Sequence, residues 1–125
     1  EAINFLDNVK PDHLIAYSRG GAVALAALPK ASHQPQITFV APAWKRGWVN
    51  NIENPTYSNG VIIHGTKDES VPLSHSAELS LKTGMDFYVF KGMGHINILK
   101  YKNNPQSGRL LSKEEKEKLI NEIST

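Results

Sequence analysis

Four short stretches dominated by β-branched and aromatic residues, His13–Tyr17, Gln36–Val40, Val61–His64 and Phe87–Phe90, predict strands. Their centres, such as Leu14-Ile15-Ala16, Ile37-Thr38-Phe39-Val40 and Val61-Ile62-Ile63, are near-continuous apolar runs rather than alternating ones. That pattern belongs to strands covered on both faces, as in a parallel sheet. Helix-like sequence intervenes. Gly20 to Leu28 is Ala-rich and stops at Pro29, and Ser74 to Lys82 stops at Gly84, a residue suited to a left-handed cap. Ser112-Lys113-Glu114-Glu115 reads as a capping box, after which Leu119, Ile120 and Ile123 recur on one helical face. Ala2, Ile3, Leu6 and Val9 predict a helix ahead of the first strand, stopped near Pro11. The stretch from Ala43 to Asn59, with Trp44, Trp48, Asn50, Asn51 and Pro55, reads as a short helix and loop joining the second and third strands.

The order α-β-α-β-(α)-β-α-β-α implies βαβ units in one right-handed parallel sheet. The fold class is therefore α/β, with about four parallel strands and flanking helices, since a βαβ unit takes roughly 30 residues. A chain of 125 residues suits a single domain spanning 1–125.

Composition narrows the chemistry. The chain carries 14 Lys and Arg against 12 Asp and Glu, a net charge of +2 that is too mild to argue for a nucleic-acid partner or a membrane surface. A small-molecule substrate is the better expectation. The absence of Cys excludes a thiolate nucleophile, disulfides and sulfur-ligated zinc. The longest apolar run, Ala22 to Leu28, falls well short of the roughly 18 to 20 residues of a membrane span. The first residues, Glu1-Ala2-Ile3-Asn4, show neither signal-peptide features nor an initiator Met, and a cytoplasmic location is the resulting expectation.

Three places carry chemistry. Ala16-Tyr17-Ser18-Arg19-Gly20-Gly21 lies where a strand ends and a helix begins. A nucleophile elbow needs a sharp turn there, with small residues two before and two after the Ser, and Ala16 and Gly20 fit. The plain alternative is a Ser that caps the helix. His64-Gly65-Thr66-Lys67-Asp68-Glu69-Ser70-Val71-Pro72 follows the third strand and puts Asp68 at the carboxyl edge of the sheet, where open α/β sheets keep their functional groups. Asp68 could orient an imidazole or merely cap the next helix, with Glu69 as the neighbouring candidate. Gly92-Met93-Gly94-His95 follows the fourth strand, and its glycines let the loop aim His95 back over the sheet.

Ser, Asp and His, each after a successive strand end, occur in the chain order of the α/β-hydrolase triad. With the elbow, His64-Gly65-x-x-Asp68-x-x-Val71-Pro72 and Gly94-His95, the sequence resembles the α/β-hydrolase superfamily of serine esterases, lipases and thioesterases. The elbow opens with Ala16 where the family more often has Gly. The resemblance implies Ser18 as nucleophile, His95 as general base and acid, Asp68 as its orienting partner, and the backbone N–H of Arg19 as an oxyanion-hole donor. It nominates Tyr17 and Trp44 for the substrate cleft. No cofactor or metal is implied.

The resemblance covers nearly all of this chain but only the C-terminal half of the family's fold. The second oxyanion donor comes from a loop upstream of the elbow, and no strand precedes His13–Tyr17 to carry it. The first strand should be an open edge, and the last helix should lie alone on its face of the sheet. The expectation is an incomplete domain whose edge is covered by a missing N-terminal segment or a second copy. The short connection after Val40 implies no large lid. The leading function is hydrolysis of a carboxylic ester or thioester on a small acyl substrate. The alternatives are a noncatalytic remnant or interaction module, and metal-dependent hydrolysis by His64, Asp68 and His75.

Overall fold

The computed structural model describes residues 2–45, 54–103 and 108–124. Its elements are α1 (Ala2–Val9), β1 (His13–Tyr17), α2 (Arg19–Ala27), β2 (Gln36–Val40), β3 (Gly60–Gly65), α3 (Leu73–Thr83), β4 (Asp86–Phe90), β5 (Gly108–Leu110) and α4 (Lys113–Ser124), with 3₁₀ turns at Leu28–Lys30 and Asn97–Asn103. The apolar runs pair in chain order, β1-β2-β3-β4-β5. The first four strands are parallel. In the register, Tyr17 pairs with Val40, Val40 with Ile63 and Ile63 with Tyr88, so the residues that follow each strand emerge along one edge of the sheet.

Strand β5 is the element the apolar pattern did not predict. It is three residues long and runs antiparallel to β4, with Gly108 beside Phe90 and Leu110 beside Tyr88. Gly-Arg-Leu offers no run of β-forming side chains; pairing to an existing strand is what makes it a strand.

The two sheet faces are covered unequally. On one, Phe39, Ile62 and Phe87 are fully buried beneath Leu6 of α1, Leu25 of α2, and Ala77 and Leu79 of α3. Leu119 and Ile120 of α4 join this same cluster. The expected isolated position for the last helix is thus corrected: β5 turns the chain back at the sheet edge and delivers α4 against α3. The other face holds a smaller cluster of Val40, Ile63 and Phe90, closed by Ile98 from the 3₁₀ turn.

Local signals are realised where they were strong. The capping box is reciprocal, with the Ser112 N–H donated to Glu115 Oε1 at 3.0 Å and the Glu115 N–H to Ser112 Oγ at 3.2 Å. Gly84 closes α3 with φ of 79°. Of the predicted connection after β2, Trp44 and Lys45 form a turn. Trp48, Asn50 and Asn51 lie outside the described residues, as does the side chain of Ile123. Among the described residues, no helix is long and apolar enough to cross a membrane.

Candidate active site

Ser18 sits between β1 and α2 with φ of 52° and ψ of −116°. A non-glycine residue rarely adopts that backbone, which costs on the order of 1–3 kcal/mol and persists only where surroundings impose it. Three hydrogen bonds impose it here. The Ser18 N–H is donated to Val40 O at 2.9 Å, and Ser18 O accepts from Gly21 N–H at 3.0 Å and Ala43 N–H at 2.8 Å. The side chain makes no helix cap. Ser18 Oγ instead lies 2.9 Å from His95 Nε2.

Smallness matters one residue later than the motif suggests. A Cβ on Gly20 would meet nothing within 4 Å, whereas one on Gly21 would stand 2.7 Å from Pro42 Cβ. Gly21 is what lets α2 lie against the exit of β2.

Asp68 is brought inward by its own loop. Its side chain is 1% exposed, and Oδ1 accepts the Ser70 and Val71 N–H groups, each at 2.8 Å. Oδ2 lies 2.7 Å from His95 Nδ1 and 3.2 Å from His64 Nε2. Burial alone pushes this carboxyl's pKa up, but the donors from His64, Val71, His95 and Ser70 together outweigh it and hold the group well below the usual carboxylate range. Glu69 is exposed and does not take the place of Asp68.

An ionised Asp68 fixes the tautomer of His95: Nδ1–H donates to the carboxylate, leaving the Nε2 lone pair to accept the Ser18 hydroxyl. The loop bearing His95 is stitched to the exit of β3. The Lys67 N–H is donated to Met93 O at 2.9 Å, and the Gly92 N–H to Thr66 Oγ1 at 2.8 Å.

Sequence reasoning missed His64 as part of this network. Its ring is fully buried, with Nδ1 2.7 Å from Ser76 Oγ and Nε2 2.9 Å from Val71 O. The carbonyl can only accept, so Nε2 bears a proton shared between Val71 O and Asp68 Oδ2. The one available signal was the spacing: a buried strand's last His, four residues before a carboxylate. Among the described residues no three His, Asp or Glu side chains gather as a metal site would require.

The remaining nominated residues divide. Arg19 opens α2 next to Ser18, so its N–H belongs to the helix amino terminus. Tyr17 donates its hydroxyl to His95 O at 2.6 Å. Trp44 stands apart: it is buried in the main core, and its indole N–H is donated to His75 O at 2.9 Å. That contact ties the exit of β2 to α3.

Of two concavities formed by the described residues, one reaches the elbow. One of about 500 Å³ runs along the free edge of β1 between α1 and α2, lined by Phe5, Ile15, Val23 and, beside the elbow, Tyr17 and Gly20. The other, about 360 Å³, lies between β5 and α4, and its lining includes neither Ser18 nor His95.

Together, a mostly parallel sheet with a strained Ser at one strand end and Asp and His after later strands defines an α/β-hydrolase-like fold. Solved structures agree. A predicted CIB-like hydrolase from Thermoplasma acidophilum superposes with a TM-score of 0.60 at 19% identity, over 96% of this chain and 55% of its own. An alpha-beta serine hydrolase homologue from Coxiella burnetii does so with a TM-score of 0.55 at 18% identity, over 89% of this chain and 48% of its own. The chain thus spans about half the length of these neighbours. No protein-family model matches it, and no curated protein matches its sequence.

Proposed function

We propose that the protein carries the catalytic half of a serine hydrolase acting on carboxylic esters or thioesters. The observation that supports this most directly is the hydrogen-bond chain Ser18–His95–Asp68, drawn from three loops at one sheet edge. Ser18 Oγ attacks the acyl carbonyl while His95 Nε2 takes its proton, and the negative charge collects on the carbonyl oxygen beside the Arg19 N–H. Collapse of that intermediate expels the alcohol or thiol, which receives the proton from His95. Water then repeats the sequence on the acyl-enzyme, restoring Ser18 and releasing the acid. Asp68 stays ionised throughout and stabilises the imidazolium.

Among the described residues no strand pairs with the outer edge of β1, and that favours a second component. The apolar groove beside Tyr17 and Gly20 is where a preceding strand of a longer chain, or an edge from a second copy, would seat and bring a second oxyanion donor. A single such donor is worth about 10² to 10³ in kcat, so a segment that supplies one there should raise the rate by that factor. The competing reading, a noncatalytic interaction module, is favoured by that same open edge.

A fluorophosphonate probe separates the two. Labelling of the parent, lost in both Ser18→Ala and His95→Ala, supports catalysis; a parent that never labels, alone or with a preceding β/α segment supplied in cis, supports the module.

A further inference from the structure

We infer that Tyr17 is a positioning residue for His95, rather than a wall of the substrate cleft. The inference rests on the triad reading above, and it starts from where Tyr17 is anchored. Tyr17 is the last residue of β1, paired with Val40, and it is covalently joined to Ser18. Its main chain is therefore as fixed as that of the nucleophile.

Among the described residues, the main chain of His95 has no such anchor of its own. It lies on the loop after β4, and the bonds that hold this loop act on its neighbours: Lys67 on Met93 O, Thr66 on the Gly92 N–H, and Asn97 Oδ1 on the Gly94 N–H at 2.5 Å. Tyr17 supplies what they omit. Its hydroxyl donates to the His95 carbonyl at 2.6 Å, and its ring lies 5.1 Å from the imidazole, centroid to centroid, at an interplanar angle of 32°.

One side chain thus restrains both the peptide and the ring of His95. With Asp68 holding Nδ1, the remaining freedom of the imidazole is its rotation and lateral drift away from Ser18, and the aromatic contact opposes both. Because the restraint starts one residue from the nucleophile, it fixes the Ser18–His95 distance directly instead of through the intervening strands. Burial and the neighbouring Asp68 charge both push the Tyr17 phenol up in pKa, so the hydroxyl remains a donor across neutral pH.

The test uses the chain as it stands. The proton on His95 Nδ1, assigned by its loss in His95→Ala and Asp68→Asn, is followed by its exchange with water in proton magnetic resonance. Tyr17→Phe, which keeps the ring and deletes only the donor, should raise that exchange rate about 3- to 10-fold, the range for one net hydrogen bond. Tyr17→Leu, which also deletes the aromatic contact, should raise it further. With a short acyl ester as substrate, Tyr17→Phe should lower kcat by a similar factor and leave KM unchanged.

Exchange in Tyr17→Phe at the parent's rate overturns the inference. So does a raised KM at unchanged kcat, which would mark Tyr17 as a substrate contact. Labelling that persists in Ser18→Ala would end the triad reading instead, and the exchange measurement still decides whether Tyr17 holds His95.

Discussion

Gly65 and Met93 meet backbone to backbone: a Cβ on Gly65 would stand 2.1 Å from the Met93 carbonyl oxygen. This contact lets the loop carrying His95 lie against the end of β3, within reach of Asp68. Gly65→Ala must push one backbone away from the other, and no flexible side-chain end is there to give. The expected cost is about 1–3 kcal/mol of stability. Displacing His95 by even an ångström should also slow labelling of Ser18 by about 10². A variant that melts like the parent and labels at its rate would mean that the two loops are not coupled.

Asp68 predicts a pH dependence with a definite sign. Burial opposes its charge, but the hydrogen bonds from His64, Val71, His95 and Ser70 more than offset it and depress the folded-state pKa. A depressed carboxyl stabilises the fold above its unfolded value of about 3.9, and that contribution is lost as pH falls through this value toward the lower folded one. The parent's Tm should therefore drop steeply below about pH 4, while Asp68→Asn, already less stable at pH 7, should drop less over the same window. Thermal melts of both proteins at stepped pH check this, because the other carboxylates contribute to both curves. Parallel curves would refute it.

The parts of this fold legible in the sequence are those written in local chemistry. Continuous apolar runs marked β1 to β4, and Ser112 with Glu115 marked the start of α4. Ser18, Asp68 and His95 could be nominated because each follows such a run. What stayed hidden depends on partners distant in the chain. Strand β5 exists only because β4 is there to pair with it. The position of α4 follows from β5. The hydrogen bond from the Trp44 indole to the His75 carbonyl likewise joins residues distant in the chain. Gly20 drew notice from the elbow pattern, yet the close approach to Pro42 belongs to Gly21 and depends on how β2 exits the sheet.

His64 extends the proton network inward and should matter to stability as well as to the acid. His64→Leu puts an apolar side chain of similar size in the ring's place but strands the Ser76 hydroxyl, the Val71 carbonyl and one acceptor position on Asp68 Oδ2. Each buried group left without a partner costs about 1–3 kcal/mol. The variant should be clearly destabilised, and its Asp68 carboxyl should titrate at higher pH than the parent's. Adding Ser76→Ala to His64→Leu should recover part of the loss, because it removes one stranded group. Denaturant melts of the two singles and the double measure that coupling, and strictly additive losses would break the proposed link between Ser76 and His64.

The edge of β1 bears on whether the chain acts alone. Ile15 is 46% exposed, Val23 41% and Phe5 49%, and all three line one groove beside the outer edge of β1, which pairs with no strand among the described residues. Apolar side chains gathered along an open edge favour association and the binding of hydrophobic dyes. At high micromolar concentration the chain should self-associate and bind such a dye. Ile15→Lys combined with Val23→Ser should suppress both. Because these side chains are already half exposed, stability should move by no more than about 0.5 kcal/mol per site. Fusing a β/α segment ahead of residue 1 should compete with self-association and raise labelling of Ser18 by about 10² if it supplies the second oxyanion donor. Sedimentation and probe labelling of the same preparations make the comparison. A parent chain that stays monomeric, melts cooperatively and ignores the dye would leave the groove without an occupant, and the dependence on a second component would fall with it.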